Sequence, residues 1–274
     1  MRKVFCEVTS SEVKLPDDIR RIVSLSPAIT ETLYLLGMGE RVVGVSAFDV
    51  HPVEARRKPV LGSYSTTNTE RLRALSPDVI FLTTGYQRPL VEKLSREFPV
   101  YAMELPPTVA SILADVIKVG LVIDRVDEAR ALNKRMLQRI SDIISDFIAT
   151  VYVEIDLGGP VTFGAYSYIT DGLSLVGLRN VFGSDMVEWK EPDFAQVRRA
   201  DPDIIIYEPK MFKKVDTEKV GEILRSRGWD SLKAVTSKRI YVTPGPHDFL
   251  AHHGPSFVLE ALPWLSQLTL SLSR

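Results

Sequence analysis

From about Asp124 to Phe147, apolar residues recur every three or four positions: Ala129, Leu132, Met136, Ile140, Ile143, Ile144 and Phe147. That period predicts an amphipathic helix rather than a strand. Asp124 is expected as its N-cap, with Asp127 and Glu128 in the first turn, where the helix dipole favours acids. No Gly or Pro interrupts the stretch. At 1.5 Å per residue it would span roughly 35 Å, about the width of a small domain.

The chain on either side repeats a phrase. Glu70–Leu75 and Ala195–Ala200 each read as a short helix, followed by Pro77-Asp78 or Pro202-Asp203 and then by the apolar runs Val79–Leu82 or Ile204–Tyr207. A β-branched run of this kind predicts a strand buried on both faces. Further strands are expected at Arg21–Leu25, Val42–Val45, Val100–Met103, Val151–Ile155, Val161–Phe163 and Ile240–Val242, after a small hairpin at Val4–Val8 and Val13–Leu15. Helices are expected from Ser26-Pro27, over 88–96, 108–123, Ser167–Val176, 217–226 and 256–268.

Strands alternating with helices predict an α/β fold: two Rossmann-like lobes with mainly parallel sheets, joined by one long rigid helix, with a ligand cleft between them. The expected division is an N-terminal lobe over 1–107, a helical linker over 108–150 and a C-terminal lobe over 151–274. Ligands of such sheets sit beyond the carboxyl ends of the strands. The loops there are Ser26-Pro27, Phe48–Pro52, Thr83–Arg88, Gly164–Tyr168, Glu208–Lys210 and Pro244–Pro255.

Composition narrows the function. At 274 residues the chain suits two domains of about 120 each. Its net charge of −1 and lack of a basic cluster argue against nucleic acid, and no apolar run approaches the ~18 residues of a membrane span. The start, Met1-Arg2-Lys3-Val4-Phe5-Cys6, is basic without an apolar core of signal-peptide length, and Cys6 lacks a lipoprotein context. Either a cytoplasmic address is expected, or an extracytoplasmic one after removal of a leader. A single cysteine allows no internal disulfide.

The run Arg21-Ile22-Val23-Ser24-Leu25-Ser26-Pro27-Ala28-Ile29-Thr30-Glu31 resembles the opening of the class III ABC-transporter substrate-binding proteins. The likeness continues through Val43–Ser46, Pro77-Asp78, the long helix, Gly172–Phe182 and Lys238–Val242, so it covers nearly the whole chain in order. The Ser46–Pro52 loop and the Thr67–Asp78 region are most similar to the vitamin B12-binding members. The resemblance implies a non-catalytic binder of cobalamin, haem or a ferric siderophore, with no required cofactor, that delivers its ligand to an ABC permease; the alternative, suggested by the N-terminus, is a cytoplasmic sensor or carrier of the same ligands, and a monomer is expected. The resemblance also implies two α/β lobes joined by a single helix.

By that resemblance, ligand-stacking aromatics fall at Phe48 and Tyr64 in the first lobe and at Trp189 and Phe249 in the second. Tyr86 stands where relatives carry a further tryptophan. Pro27 and Tyr166 join them as cleft-loop residues. Aromatic faces suit a flat macrocycle because they bury much apolar area while freezing few rotamers. Permease docking in the family uses an exposed glutamate on each lobe. Glu70 matches the first, although Thr67-Asn68-Thr69-Glu70 also reads as a capping box needing that carboxylate. The second place holds Ala195 or Gln196.

All four histidines lie in the expected cleft loops: His51, and His247, His252 and His253, with Asp248 beside them. His51, His247 and His252 are candidate metal ligands, or axial ligands to a haem or corrinoid. Plain surface histidines are the alternative. A rival from another class is a metal-dependent enzyme using His51, His247, Asp248 and His252. Against it, the chain has no Gly-x-Ser-x-Gly and no Gly-Lys-Ser/Thr.

Overall fold

The computed structural model describes residues 1–245 and 247–272. The chain divides into two compact units, Met1–Leu105 with Ile112–Arg135, and Pro106–Ser111 with Met136–Arg274.

The first unit opens with an antiparallel hairpin, β1 (Arg2–Cys6) and β2 (Ser11–Leu15). The elements β3 (Ile22–Ser24), α1 (Pro27–Leu35), β4 (Val42–Ser46), β5 (Val60–Gly62), α2 (Thr69–Leu75), β6 (Val79–Thr83), α3 (Arg88–Leu94) and β7 (Val100–Met103) follow. Their parallel sheet has the order β5-β4-β3-β6-β7. Every residue of β6 and β7 is buried, as strands covered on both faces require. β5 was not expected: three residues after Pro59, with Val60 exposed, carry too little pattern.

Two helices follow, α4 (Val109–Ile123) and α5 (Val126–Ile143). The long helix is therefore shorter at both ends than the sequence implied. Asp124 is not its N-cap; it sits at φ +59° between the two helices, a left-handed conformation that Asp tolerates better than most residues. At its other end the Ser145 N–H bonds to the Leu175 carbonyl at 3.0 Å, leaving Ile144 and Phe147 exposed beyond α5. Its 18 residues span about 27 Å. Within the first unit α5 folds back on α4. Asn133 Nδ2 donates to the Leu113 carbonyl at 2.9 Å, and a Cβ on Gly120 would lie 2.6 Å from that of Ala129.

The second unit contains β8 (Ala149–Asp156), β9 (Pro160–Phe163), α6 (Tyr168–Leu175), β10 (Leu178–Asn180), β11 (Trp189–Lys190), α7 (Phe194–Ala200), β12 (Ile204–Glu208), α8 (Thr217–Ser226), α9 (Lys233–Thr236), β13 (Ile240–Val242) and, after a π-helical turn at Phe257–Ala261, α10 (Leu262–Leu272). β10, β8, β12 and β13 are parallel. β9 and β11 extend the sheet antiparallel from the carboxyl end of β8, where Ile155 faces Val161. Among the described residues no helix is long and apolar enough to cross a membrane.

The repeated phrase is the same structure twice. Asn68 caps α2 and Asp193 caps α7, and the helices end at left-handed Ser76 (φ +43°) and Asp201 (φ +45°). Asp78 then accepts the Arg20 and Arg21 N–H groups at 2.7 and 2.9 Å. Asp203 likewise accepts the Thr150 N–H at 2.9 Å and its hydroxyl at 2.7 Å. In each unit the Pro-Asp aspartate fixes the start of the central strand beside the strand that follows it.

Candidate functional site

In the first unit, buried polar side chains tie the carboxyl-end loops together. The Gln87 amide donates from Nε2 to the Leu25 and Tyr64 carbonyls, both at 2.8 Å. Its Oε1 accepts the Thr83 N–H at 3.1 Å and the Thr83 hydroxyl at 3.0 Å. One fully buried amide thus joins the loops after β3, β5 and β6, with all four of its hydrogen bonds made. Gln87→Leu would strand the buried Leu25 carbonyl, the half-buried Tyr64 carbonyl and a backbone N–H. A loss of about 2 kcal/mol or more is expected in chemical denaturation.

Asp49 holds the next loop. Its Oδ2 accepts the Ser46 N–H at 2.8 Å and the Ser46 hydroxyl, and its Oδ1 accepts the Thr30 hydroxyl from α1. Phe48 and His51 are anchored through this aspartate. Phe48 is 36% exposed and meets Tyr64 edge-on, with ring centres 6.2 Å apart. His51 Nε2 lies 3.5 Å from the buried Glu31 carboxylate. Tyr86 is 73% exposed at the end of β6. Pro27 is the first residue of α1 and half-buried, and the hydroxyl of Ser26 at the N-cap position makes no capping bond.

In the second unit, segment 164–166 runs beside 185–188. Gly164 N–H bonds to Glu188 O, Ala165 N–H to Asp185 O and Tyr166 N–H to Val187 O. A Cβ at Gly164 would stand 2.5 Å from two carbonyl oxygens, so glycine permits the close approach. This ladder continues β9–β11, where Phe163 faces Trp189. It displays Tyr166 (50% exposed) and Trp189 (55%), with Met186 and Val187 exposed beside them.

The loop after β13 is held by Glu208, the buried last residue of β12, which accepts the Leu250 N–H at 2.5 Å and the Ala251 N–H at 3.0 Å. Burial pushes its carboxyl up to about 7, against those bonds and with the help of Asp248. Tyr168 donates to the Leu250 carbonyl at 2.7 Å. Phe249, expected as a stacking face, is half-buried and packs edge-on to Trp264 at 5.7 Å.

His247 and Asp248 are also half-buried, and burial raises the Asp248 carboxyl, with His252 opposing. His252 is buried rather than displayed. Among the described residues no three or more His, Cys, Asp or Glu side chains are grouped as a metal ion would need.

Glu70 is exposed at the second position of α2. The capping-box expectation fails: Asn68 caps the helix by accepting the Arg71 N–H at 3.0 Å, without help from Glu70. The corresponding second position of α7 is Ala195.

Sequence reasoning missed Gln87, Asp49, Glu31 and Glu208. The one available signal was position, since Gln87 and Glu208 stand at or just beyond the end of an apolar run.

The profile of the family described as "Periplasmic binding protein" matches residues 22–246. A vitamin B12-binding protein of Yersinia pestis (strain Pestoides F) is 26% identical over 192 residues, 68% of each chain. Among solved structures, the periplasmic vitamin B12-binding protein of Vibrio cholerae superposes with a TM-score of 0.77 at 20% identity, covering 94% of this chain and 100% of that one. A periplasmic haem-binding protein of Roseiflexus sp. RS-1 gives 0.76 at 22% identity, over 93% and 100%.

Proposed function

Because the chain belongs to the periplasmic binding protein family, we propose that it captures a flat, metal-bearing chelate. A cobalamin-like corrinoid is the first choice, with haem or a ferric siderophore next, for delivery to an ABC-type permease. It is a solute-binding protein and not an enzyme, like the relatives named for binding vitamin B12 and haem.

The observation that carries the choice of ligand is the set of aromatic faces left open on otherwise well-ordered carboxyl-end loops. Tyr166 and Trp189 share one ladder in the second unit, and Tyr86 and Phe48 are exposed in the first, with half-buried Tyr64 edge-on to Phe48. Large exposed apolar faces on a rigid frame mark a binding surface, and stacked rings match a macrocycle. In this reading Tyr166 and Trp189 stack on the ligand, Phe48, Tyr64 and Tyr86 contribute further faces, and Pro27, His247, Asp248 and Phe249 line the loops around it. His51, steered by Glu31, supplies an imidazole to the metal's axial position. Glu70 is the docking carboxylate, and Ala195 leaves the equivalent place in the second unit without charge.

Quenching of tryptophan fluorescence by hydroxocobalamin tests the assignment. Saturable quenching is expected in the wild type. Trp189→Ala and Tyr166→Ala should each bind at least about tenfold more weakly, a loss of ~1.4 kcal/mol. Unchanged affinity in both variants would overturn the stacking role.

A further inference from the structure

Two turns of the second unit lie side by side at the carboxyl end of its sheet. One joins β8 to β9 through Leu157-Gly158-Gly159, and the other follows β12 from Pro209 to Val215. The strands that carry them, β8 and β12, are neighbours. Lys213 Nζ stands 3.9 Å from the Asp156 carboxylate, and a Cβ on Gly158 would lie 3.8 Å from Lys210 Nζ.

The Lys213 N–H donates to the Lys210 carbonyl at 2.9 Å, closing a turn in which Phe212 takes the third position at φ +67°. That place favours glycine, and a bulky residue seldom adopts it. The Phe212 ring supports no core, being 60% exposed, and Leu157 on the adjoining turn is 56% exposed. A strained residue that stabilises nothing inside the fold points to a contact outside it.

Charge around these two side chains is one-sided. Between Pro209 and Val215 the chain has three lysines, all exposed, and no acid, although its net charge overall is −1. Asp156 pairs with Lys213 and accepts the Gly158 N–H at 2.9 Å. Asp216 is turned to α8, where it caps the helix by accepting the Lys219 N–H at 2.9 Å. Lys210 and Lys214 have no acidic partner among the described residues.

We propose that the two turns rest on an anionic phospholipid surface. Phe212 and Leu157 enter the boundary between headgroups and acyl chains, and the lysines meet the phosphates. Two features favour lipid over a protein partner. The apolar side chains stand at turn tips, and a bilayer accepts such tips without a complementary groove. The cations are all lysine, point charges suited to diffuse headgroup charge, whereas arginine's planar fork better matches a fixed carboxylate. Delivery to a permease would bring the protein to a bilayer, but the contact itself requires neither ligand nor permease.

Co-sedimentation of the full, ligand-free chain with vesicles tests this independently of the chelate reading. Binding is expected to vesicles of phosphatidylcholine with phosphatidylglycerol, and not to phosphatidylcholine alone. The triple variant Lys210→Gln/Lys213→Gln/Lys214→Gln should weaken it at least about tenfold. Phe212→Gly removes the ring and suits the positive φ, so vesicle binding should fall while urea denaturation shows no loss of stability. In Phe212→Trp the tryptophan emission should shift to the blue on anionic vesicles. No binding to anionic vesicles, or equal binding to both compositions, would overturn the proposal. Dependence on the lysines without dependence on Phe212 would overturn it too, and would mark an acidic protein surface as the occupant.

Discussion

Arg227→Ala is expected to cost about 3–5 kcal/mol of folding stability, the penalty of leaving one partner of a buried ion pair behind. The guanidinium meets Glu154 on β8 through two bonds, 2.6 and 2.9 Å long, and Tyr152 donates to the same carboxylate at 2.6 Å. Glu154 is buried and Arg227 nearly so. The guanidinium also lies 4.2 Å from the centre of the Phe194 ring and 5.3 Å from that of Trp229. Truncation therefore leaves the buried Glu154 charge with only the Tyr152 hydroxyl, and removes the stacking on Phe194 and Trp229 as well. Urea denaturation of Arg227→Ala, Glu154→Leu and the Arg227→Met/Glu154→Leu double variant separates the contributions. The double variant should recover more than half of the single losses, because an apolar pair leaves no stranded charge. Additive losses would contradict the ion-pair account.

The second large effect is an acid-sensitive term from His253. Its Nε2 is buried with no hydrogen-bond partner among the described residues, and its ring meets that of Tyr168 at 6.1 Å. Burial chiefly, and then the neighbouring His252, hold its pKa down to about 3 from 6.5. The native state thus excludes a proton that the unfolded chain binds below pH 6.5. Stability from this group is complete above 6.5 and is lost as pH falls towards 3, by about 1.4 kcal/mol per pH unit.

Glu208 runs the other way. Its raised pKa favours the fold at low pH and penalises it as pH rises from 4.5 to about 7. Wild-type stability alone mixes the two terms, whereas the difference between His253→Phe and wild type isolates one. Between pH 6.5 and 4.5 that difference should move by about 2–3 kcal/mol in favour of the variant. A pH-independent difference in thermal or urea unfolding would contradict the buried neutral imidazole.

What was legible in the sequence follows the range of the interactions. The Pro-Asp phrase could be read twice because its helix, turn and strand are adjacent in the chain. Its buried strands needed only β-branched runs, Val79–Leu82 and Ile204–Tyr207. Asp124 was misread because aspartate suits an N-cap and a left-handed turn alike, and the residues around it do not choose between them. The capping box failed by one position, since Asn68 outranks Thr67 as the cap actually used. Strands β5 (Val-Leu-Gly), β10 (Leu-Arg-Asn) and β11 (Trp-Lys) lack the β-branched run that marks the equally short β13 (Ile-Tyr-Val).

The exposure of several candidate aromatics is as the sequence implied, whereas the groups that hold their loops had no local signal. Tyr86 and Tyr166 follow predictable strands and Trp189 lies in the two-residue β11, and the structure leaves all three exposed. Gln87 reaches back 62 residues to Leu25, Glu208 reaches forward 42 to Leu250, and Arg227 finds Glu154 at a separation of 73. Nothing local in the chain encodes those partners. They become necessary only when the loops are packed and their backbone groups must be satisfied.

Calorimetric titration of the purified protein with hydroxocobalamin, haemin and a ferric hydroxamate siderophore tests the central claim most directly. The account predicts that one of the three binds with one-to-one stoichiometry and micromolar or tighter affinity, weakened by Trp189→Ala. Absence of saturable heat with all three would contradict a chelate-binding role for these aromatic loops.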